Sequence, residues 1–344
     1  MIYFQNDYSE GCHPEILAGL NEINSGVYTG YGYDYLTEKT TSLLKNEIKN
    51  ENIDIHYLGA GTLTNLTAIS AFLKPYEAII SSSIGHINTH ETGAIEATGH
   101  RVVEVFSDDN KLNPDSVEKT YLLHTDEHMV KPKLVYISNS TEAGQIYTKS
   151  ELVGLRGICD KYGLYLYIDG ARMGAALTCA PNDLTLYDIS KLADAFYIGG
   201  TKNGILFGET LIICNDGLKP FFRYNMKQRG AVIAKTWVVS GQFYYLFKSG
   251  LFYGLSKYAN NLAQEIYTSL KDFGVDFYSS SPTNQLFPIF HNNVIEKLSG
   301  RYLFNEWAVV DKTHTAIRLV TSWATKKEDA LKLVGDIKRY HKTV

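Results

Sequence analysis

Two residues of complementary chemistry follow two consecutive runs of strand-forming residues. Asp169 lies in the stretch "YLYIDGARMGAAL", and Lys202 lies in "AFYIGGTKNG". In open α/β sheets, ligands collect at the carboxyl ends of the strands, so we expect these two side chains to share one site. Pyridoxal phosphate requires an amine that holds it as an imine and a carboxylate that keeps its pyridine nitrogen protonated. The pair therefore predicts a pyridoxal phosphate site.

The same cofactor needs a phosphate site, and the stretch "YLGAGTLTNLTAISAFL" has a suitable pattern. The pattern is that of a strand, a glycine turn and then a helix whose apolar residues recur at helical spacing. Free N–H groups and the helix dipole at such a helix start bind phosphate. We expect Gly61 and Thr62 to approach the phosphate, with Asn65 one turn further along the helix.

Two other kinds of site match the sequence only in part. The glycine pattern of dinucleotide-binding proteins fails at Thr64, which stands at the third glycine position. His86 and His90 are four residues apart, a spacing that suits two zinc ligands on a helix, and Glu91 is adjacent. Because the cofactor lysine pattern is also present, we expect neither a metal nor a nicotinamide cofactor.

Short apolar runs rich in β-branched and aromatic residues alternate with helical patterns along most of the chain. This alternation predicts an α/β fold with a mainly parallel sheet that is covered on both faces. The stretch "SELVGLRGICDKYG" is predicted to be a helix that is capped by Ser150 and ended by Gly163. The predicted strands are "IHYLGAG", "EAIISSS", "RVVEVF", "KLVYISNS", "LYLYIDGA", "AFYIGG" and "TLIICN".

The pattern changes after Gly250. A long helical segment is followed by strand-like pieces such as "AIRLVTSW" and by a terminal helix in "KKEDALKLVGDIKRY". We therefore predict a large cofactor-binding domain over residues 1–248 and a smaller α/β domain over residues 249–344. The N-terminal segment is expected to pack on the small domain.

The composition points to small molecules, or to copies of the chain itself, as partners. With 44% hydrophobic residues, 20% charged residues and a net charge of −4, the 344-residue chain has no basic footprint for nucleic acid or for a membrane surface. Neither a signal sequence nor an apolar run of spanning length is expected from the pattern. A reducing, cytoplasmic location is expected because the cysteines form no disulfide pattern; they are Cys12, Cys159, Cys179 and Cys214.

Five motifs follow one another along the chain: "GAGTLTN", "GHINTHETGAIEATGH", "YIDGARMGAAL", "GGTKNGILFGE" and "AIRLVTSW". Together they resemble the threonine aldolases, within the aromatic amino acid β-eliminating lyase/threonine aldolase superfamily. The resemblance implies the aspartate aminotransferase-like fold (fold type I) and pyridoxal phosphate. It also implies carbon–carbon lyase activity of the low-specificity type, which cleaves L-threonine or L-allo-threonine to glycine and acetaldehyde.

The resemblance also assigns roles to single residues. Lys202 matches the Schiff-base lysine, Asp169 the residue at the ring nitrogen, and His86 the histidine that stacks on the ring. Arg172 and Arg318 match the arginines that bind the substrate carboxylate. Further assignments are Gly61, Thr62 and Asn65 at the phosphate, Lys235 as a phosphate contact from a neighbouring subunit, His128 near the substrate β-hydroxyl, and Asn6 near the carboxylate.

Two departures from the family pattern leave the substrate open. Asn6 replaces a serine found in many relatives, and "SNSTEAGQIY" differs from their glutamate–asparagine–threonine–histidine run. That loop resembles a subgroup that includes phenylserine-cleaving enzymes. Three functions therefore remain: an aldolase, a β-eliminating amino acid lyase on the same scaffold, and a non-catalytic binding protein. The resemblance implies a homo-oligomer, either a dimer or a homotetramer.

Overall fold

The computed structural model describes residues 1–107 and 109–342 and contains one large sheet and two smaller ones. In chain order, the strands of these residues are β1 (Ile2–Tyr3), β2 (Asp54–Leu58), β3 (Glu77–Ser82), β4 (Val102–Val105), β5 (Lys131–Ser138), β6 (Tyr165–Asp169), β7 (Ala195–Gly199), β8 (Glu209–Ile213), β9 (Gln285–Leu286), β10 (Ile289–His291), β11 (Tyr302–Leu303), β12 (Asn305–Val309) and β13 (His314–Val320).

Helices cover both faces of the large sheet and one face of the small domain. In chain order they are α1 (Pro14–Ile23), α2 (Tyr35–Ile48), α3 (Gly61–Phe72), α4 (His86–Thr89), α5 (Pro114–Leu122), α6 (Lys149–Tyr162), α7 (Met173–Thr178), α8 (Leu186–Leu192), α9 (Phe222–Gln228), α10 (Thr236–Lys248), α11 (Leu251–Lys271), α12 (Asn292–Ser299) and α13 (Lys327–His341). Short 3₁₀ turns lie at Glu96–Thr98 and Asp216–Leu218. No helix among the described residues is both long enough and apolar enough to cross a membrane.

The large sheet has seven strands in the order β2-β8-β7-β6-β5-β3-β4. Strand β8 is antiparallel to both of its neighbours, and the other neighbouring strands are parallel. The seven runs predicted as strands correspond to β2 through β8, so the prediction of a mainly parallel α/β sheet is confirmed. Every residue of β3, β7 and β8 is buried, as expected for central strands of a sheet that is covered on both faces.

Alternation along each strand sends successive side chains into two separate cores. In β5, Val135 and Ile137 pack in the larger core, whereas Leu134 and Tyr136 face the core that contains Ile69 of α3. Residues that are paired in register on adjacent parallel strands therefore face the same core, such as Tyr136 and Tyr167 on the side of α3.

The small domain is built on the antiparallel order β10-β13-β12, with β9 also pairing with β13. Its core includes Phe290, Ile317 and Leu333. Strand β1 pairs in parallel with β11, which attaches the N-terminus to this domain before the chain continues to α1. As a consequence, residues 4–10 run between the small domain and the large sheet.

The boundary between residues 248 and 249 stays a prediction. Gly250 has a φ of 72°, a left-handed conformation that glycine adopts without strain, and it separates α10 from α11. Helix α11 then packs on both α7 and α13. Residue 108 of the predicted large domain and residues 343–344 of the predicted small domain lie outside the described residues.

The predicted cap of α6 is wrong by two positions. Thr148, and not Ser150, caps this helix, because its side chain accepts the N–H of Glu151 while the Glu151 carboxylate accepts the Thr148 N–H. This reciprocal pair is a capping box, which satisfies two otherwise unpaired donors. Gly163 ends the helix in a left-handed conformation, as predicted.

We expect Thr148→Ala to lower the free energy of unfolding by about 1 kcal/mol, since it removes the cap that Ser150 does not provide. Ser150→Ala is the matched control and should change the free energy of unfolding by less than about 0.5 kcal/mol. Urea-induced unfolding at one fixed protein concentration measures both values. Equal losses for the two variants would contradict the assignment of the cap.

Candidate active site

A pocket of about 240 Å³ lies at the carboxyl ends of β5, β6 and β7. Five residues that the sequence placed in one site all line it: Lys202, Asp169, His86, Arg172 and Arg318. The first two follow neighbouring parallel strands, whereas Arg318 comes from β13 of the small domain. The pocket therefore lies where β13 approaches the carboxyl ends of the large sheet, as a site of an α/β sheet is expected to.

Asp169 is the most strongly bonded polar group of the pocket. Its two oxygens accept four hydrogen bonds, from the Tyr136 and Tyr197 hydroxyls at 2.6 Å each and from Asn65 Nδ2 and the Ala171 N–H at 3.0 Å each. Burial alone would raise the pKa of Asp169, but the nearby charge of His86 and these donors hold the pKa below its ordinary value. Asp169 is therefore ionised although it is only 3% exposed.

Both tyrosines reach Asp169 because of their place in the sheet. Strands β5, β6 and β7 all end in Tyr-Ile-x, with Tyr136, Tyr167 and Tyr197 two residues before the strand end. Tyr136 is directly opposite Tyr167 in the register of β5 and β6. All three side chains consequently face α3, on the same side as Asp169. This repeated tripeptide is a sequence signal that could have revealed the network.

A second layer of hydrogen bonds links Asp169 to His86. The Asn65 amide donates to both Asp169 and Glu91, while its oxygen accepts the Tyr167 hydroxyl at 3.1 Å. Glu91 Oε1 lies 2.7 Å from His86 Nδ1. Burial would lower the pKa of His86, but the hydrogen bond to Glu91 and the charge of Asp169 raise it. The other imidazole nitrogen, Nε2, makes no hydrogen bond with the described residues.

The structure does not leave the Asn65 side chain free to bind phosphate, as the sequence analysis expected. Its side chain is fully buried, and both its amide group and its oxygen are used within the protein. Asn65 therefore positions Asp169 and Glu91 instead. The sequence pattern located the right turn of the helix but could not show that the side chain points toward the sheet.

The start of α3 keeps the features of an anion site. Ala60, at its N-cap, provides no side-chain hydrogen bond to the first turn, so the N–H groups of Gly61 and Thr62 remain available. A Cβ on Gly61 would lie 3.3 Å from the Tyr197 hydroxyl, so the backbone comes close to the Asp169 network. A phosphate at this helix start and a pyridine ring at Asp169 are compatible with one bound molecule.

Lys202 is held on a rigid turn. Beside it, the Glu209 carboxylate accepts the Gly200 N–H at 3.0 Å and the Thr201 hydroxyl at 2.8 Å. Burial raises the pKa of Glu209 to about 7. Burial, together with the positive charge of Arg172, lowers the pKa of Lys202. A lowered pKa increases the fraction of neutral amine, which is the form that attacks an aldehyde.

The two predicted carboxylate arginines differ in their environment. Arg172 binds Asp7 through two hydrogen bonds, Nε to Oδ2 at 2.7 Å and Nη2 to Oδ1 at 3.0 Å. Arg318 has a buried Nε with no hydrogen-bond partner among the described residues, and its guanidinium lies 5.7 Å from the Trp307 ring centre. Arg318 is therefore the guanidinium left free for an incoming carboxylate, while Arg172 is already paired.

Besides the three predicted residues of α3, three further predicted residues do not line the pocket in this chain. His128 is exposed and lies just before β5, at the amino ends of the parallel strands, whereas Lys202 lies at their carboxyl ends. Its assignment near the substrate is therefore corrected. The Asn6 oxygen accepts the Tyr8 N–H and the Ser9 hydroxyl, so it shapes the N-terminal loop instead. Lys235 is exposed at the start of α10, and its contact with a neighbouring subunit stays a prediction.

Residues that the sequence analysis missed surround the predicted ones. His90 and Glu142 line the pocket, and Asp7 pairs with Arg172. The His86 to His90 spacing did signal that both histidines share a face, and their ring centres lie 5.5 Å apart. Asp7 and Glu142 had no comparable signal, because the contacts of Asp7 with Arg172 and of Glu142 with His86 each span a long sequence separation.

A metal would compete with an existing hydrogen-bond network. His86, Glu91 and Asp169 each offer a ligand atom within 4.8 Å of the others. However, Asp169 is already surrounded by hydroxyl and amide donors, and His86 Nδ1 is bonded to Glu91. A metal ion that took these three ligand atoms would have to displace the hydrogen bond between His86 and Glu91.

Comparison with known proteins agrees with this geometry. Residues 31–291 match the family described as Beta-eliminating lyase. A low specificity L-threonine aldolase of a Pseudomonas species is 29% identical over 97% of this chain and 96% of its own length. A Saccharomyces cerevisiae enzyme of the same name is 22% identical over 80% of this chain and 75% of its own.

Solved structures extend the comparison. A threonine aldolase of Leishmania major superposes with a TM-score of 0.97, at 44% identity and with 99% of each chain covered. A histidinol-phosphate aminotransferase of Clostridium acetobutylicum has a TM-score of 0.75 at 12% identity over the full length of both chains, which shows the fold alone. The fold is thus that of the fold type I enzymes, and the chain belongs to the beta-eliminating lyase family and, within it, to the threonine aldolases.

Proposed function

We propose that the protein holds pyridoxal phosphate on Lys202 and cleaves L-threonine, L-allo-threonine or a related β-hydroxy-α-amino acid such as phenylserine to glycine and an aldehyde. The observation that carries the proposal is that an ionised Asp169, an amine of lowered pKa at Lys202 and a free guanidinium at Arg318 line one pocket. When bound, pyridoxal phosphate supplies the electron sink for the broken Cα–Cβ bond.

The protein's own groups prepare that chemistry. The Asp169 carboxylate would hold a proton on the ring nitrogen, because a nearby negative charge in a partly desolvated site favours the protonated form. Lys202 would hold the cofactor through its side-chain amine, whose lowered pKa favours the neutral, nucleophilic form. The N–H groups of Gly61 and Thr62 bind the phosphate.

Arg318 orients the substrate. Its planar guanidinium can hold a carboxylate through two parallel hydrogen bonds, which fixes rotation about the bond between Cα and the substrate nitrogen. The Arg172–Asp7 pair forms the adjacent wall and keeps the local charge balanced. Arg318 would thereby limit the orientations that the bond to be cleaved can take.

A second copy of the chain is proposed to complete the phosphate site. Exposed aromatic side chains form a surface that we call the aromatic surface: Tyr31, Tyr33, Phe221 and Tyr224. The Tyr31 N–H donates to Ala234 O, so the exposed Lys235 lies beside this surface. A patch of this kind favours contact between subunits, in a dimer or a tetramer, and would bring Lys235 toward a partner's phosphate.

We also propose the reducing interior of a cell as the location. All four cysteines have free thiols, and burial raises the pKa of Cys159 and Cys214 to about 12 each. Thiols of such high pKa form little thiolate and react slowly.

The direct test is a product assay with L-threonine and L-allo-threonine. We expect equimolar glycine and acetaldehyde from at least one isomer, and no turnover in Lys202→Ala, because that variant lacks the attaching amine. Lys312→Ala, a change of an exposed lysine on the small domain, is the control and should retain wild-type turnover. A 2-oxo acid with ammonia as the main products would instead indicate β-elimination, and no product at all would indicate a binding protein.

We expect Asp169→Asn to lower kcat by about 100-fold or more while the fold is retained, because the charge that protonates the ring is lost. Tyr197→Phe is the graded comparison: it removes one of the four donors to Asp169 and should lower kcat by about tenfold, equivalent to one pKa unit. Steady-state kinetics at saturating substrate provide both values. Full activity of Asp169→Asn would remove Asp169 from the mechanism.

Light scattering should show a dimer or a tetramer. We expect the double change Phe221→Asp and Tyr224→Asp to shift the protein toward monomer, since these rings are 77% and 76% exposed in the single chain. Val309→Asp is the matched control, because Val309 is 78% exposed but lies on the small domain. A wild-type monomer with full activity would contradict the proposed completion of the site by a second copy.

A further inference from the structure

Glu142 lines the pocket although no step described so far uses it. It follows β5 in a loop, and its Oε1 accepts the backbone N–H of His86 at 2.9 Å and the Ser138 hydroxyl at 2.7 Å. These two donors fix the orientation of the carboxyl group. Among the described residues, no hydrogen bond from another residue reaches Oε2, and Oε2 is not one of the buried unpaired atoms. One oxygen is thus anchored by two other residues, and the carboxyl group lies in a residue that lines the pocket.

The surroundings of Glu142 make it a better base than an ordinary carboxylate. Burial raises the pKa of Glu142, and the negative charge of Asp169 raises it further, against the hydrogen bond from Ser138 and the charge of His86. A base is most effective when its pKa lies near the operating pH. Other titratable or charged groups that face Glu142 are Arg172, Tyr136 and Tyr147.

Cleavage of a β-hydroxy-α-amino acid requires a group that removes the proton of the β-hydroxyl. His128 lies at the amino ends of the parallel strands, away from the pocket, and His86 is hydrogen-bonded to Glu91 through Nδ1. The His90 ring makes no hydrogen bond with the described residues that would fix its orientation, and the residue is exposed. Glu142 is therefore the candidate base that both lines the pocket and has its orientation fixed by hydrogen bonds.

We propose that Glu142 is the catalytic base that accepts the proton of the substrate β-hydroxyl. The inference rests on the proposed function. The O–H proton passes to Glu142 Oε2, the Cα–Cβ bond breaks, and the oxygen that lost its proton becomes the aldehyde carbonyl. The electron pair of the broken bond stays with the glycine half and is later protonated at Cα. The net change is transfer of one proton from oxygen to Cα, with no oxidant or reductant.

Glu142→Gln tests this role because the amide oxygen of glutamine can still accept the hydrogen bonds from His86 and Ser138. Two reactions of the cofactor-loaded protein are compared. Cleavage of L-threonine and L-allo-threonine needs the base at the β-hydroxyl, whereas exchange of the glycine α-proton with deuterium in D₂O, followed by proton NMR, does not. We expect Glu142→Gln to lower kcat for cleavage by about 100-fold or more and to change the exchange rate by less than about threefold.

His128→Phe is the control and should change neither rate, because His128 is remote from the pocket. Cleavage that survives Glu142→Gln would overturn the proposal, and loss of cleavage in His90→Asn with exchange retained would then assign the proton to His90. An equal fall of both rates in Glu142→Gln would show that Glu142 organises the pocket, and would also overturn it. Wild-type protein that exchanges glycine but cleaves neither isomer would overturn the proposed function itself, and the role of Glu142 with it.

Discussion

The site depends on keeping one carboxylate charged where there is almost no water. A buried carboxylate ordinarily takes up a proton, since burial penalises its charged form. Asp169 avoids this because the sheet and α3 together present four donors to its two oxygens. Those donors come from β5, β7, α3 and the turn after β6. The register of three parallel strands and the position of a helix must therefore all be correct for one charge to persist.

The second constraint is the placement of the small domain. Arg318 lies on its strand β13. Asp7, which binds Arg172, follows the strand β1 that pairs with β11. The Asn284 amide also donates to Asp7 at 3.0 Å, so three separate parts of the chain fix this corner. A movement between the domains would alter the substrate side of the pocket while leaving the Asp169 network in place. The Asp169 network and the corner at Arg172 and Asp7 thus depend on different parts of the fold.

The sequence predicted what local patterns determine. The seven strands of the sheet followed from apolar runs, and Asp169 and Lys202 followed from their positions at strand ends. Contacts that depend on side-chain direction were less accessible: Asn65 lies on the predicted helix turn but points to the sheet, and Thr148 replaces Ser150 as a cap. His128 was assigned by resemblance alone, yet it lies at the amino ends of the parallel strands, opposite to the pocket. Glu142 could not be predicted because its meeting with His86 spans 56 positions of sequence.

The protonation state of the cofactor ring tests the central claim most directly. It can be measured as the ¹⁵N chemical shift of the ring nitrogen, on protein loaded with pyridoxal phosphate that is labelled at that atom. If Asp169 is held ionised by its four donors, the ring nitrogen should show the shift of a protonated pyridine at neutral and mildly alkaline pH. The shift of an unprotonated pyridine under the same conditions would contradict the account.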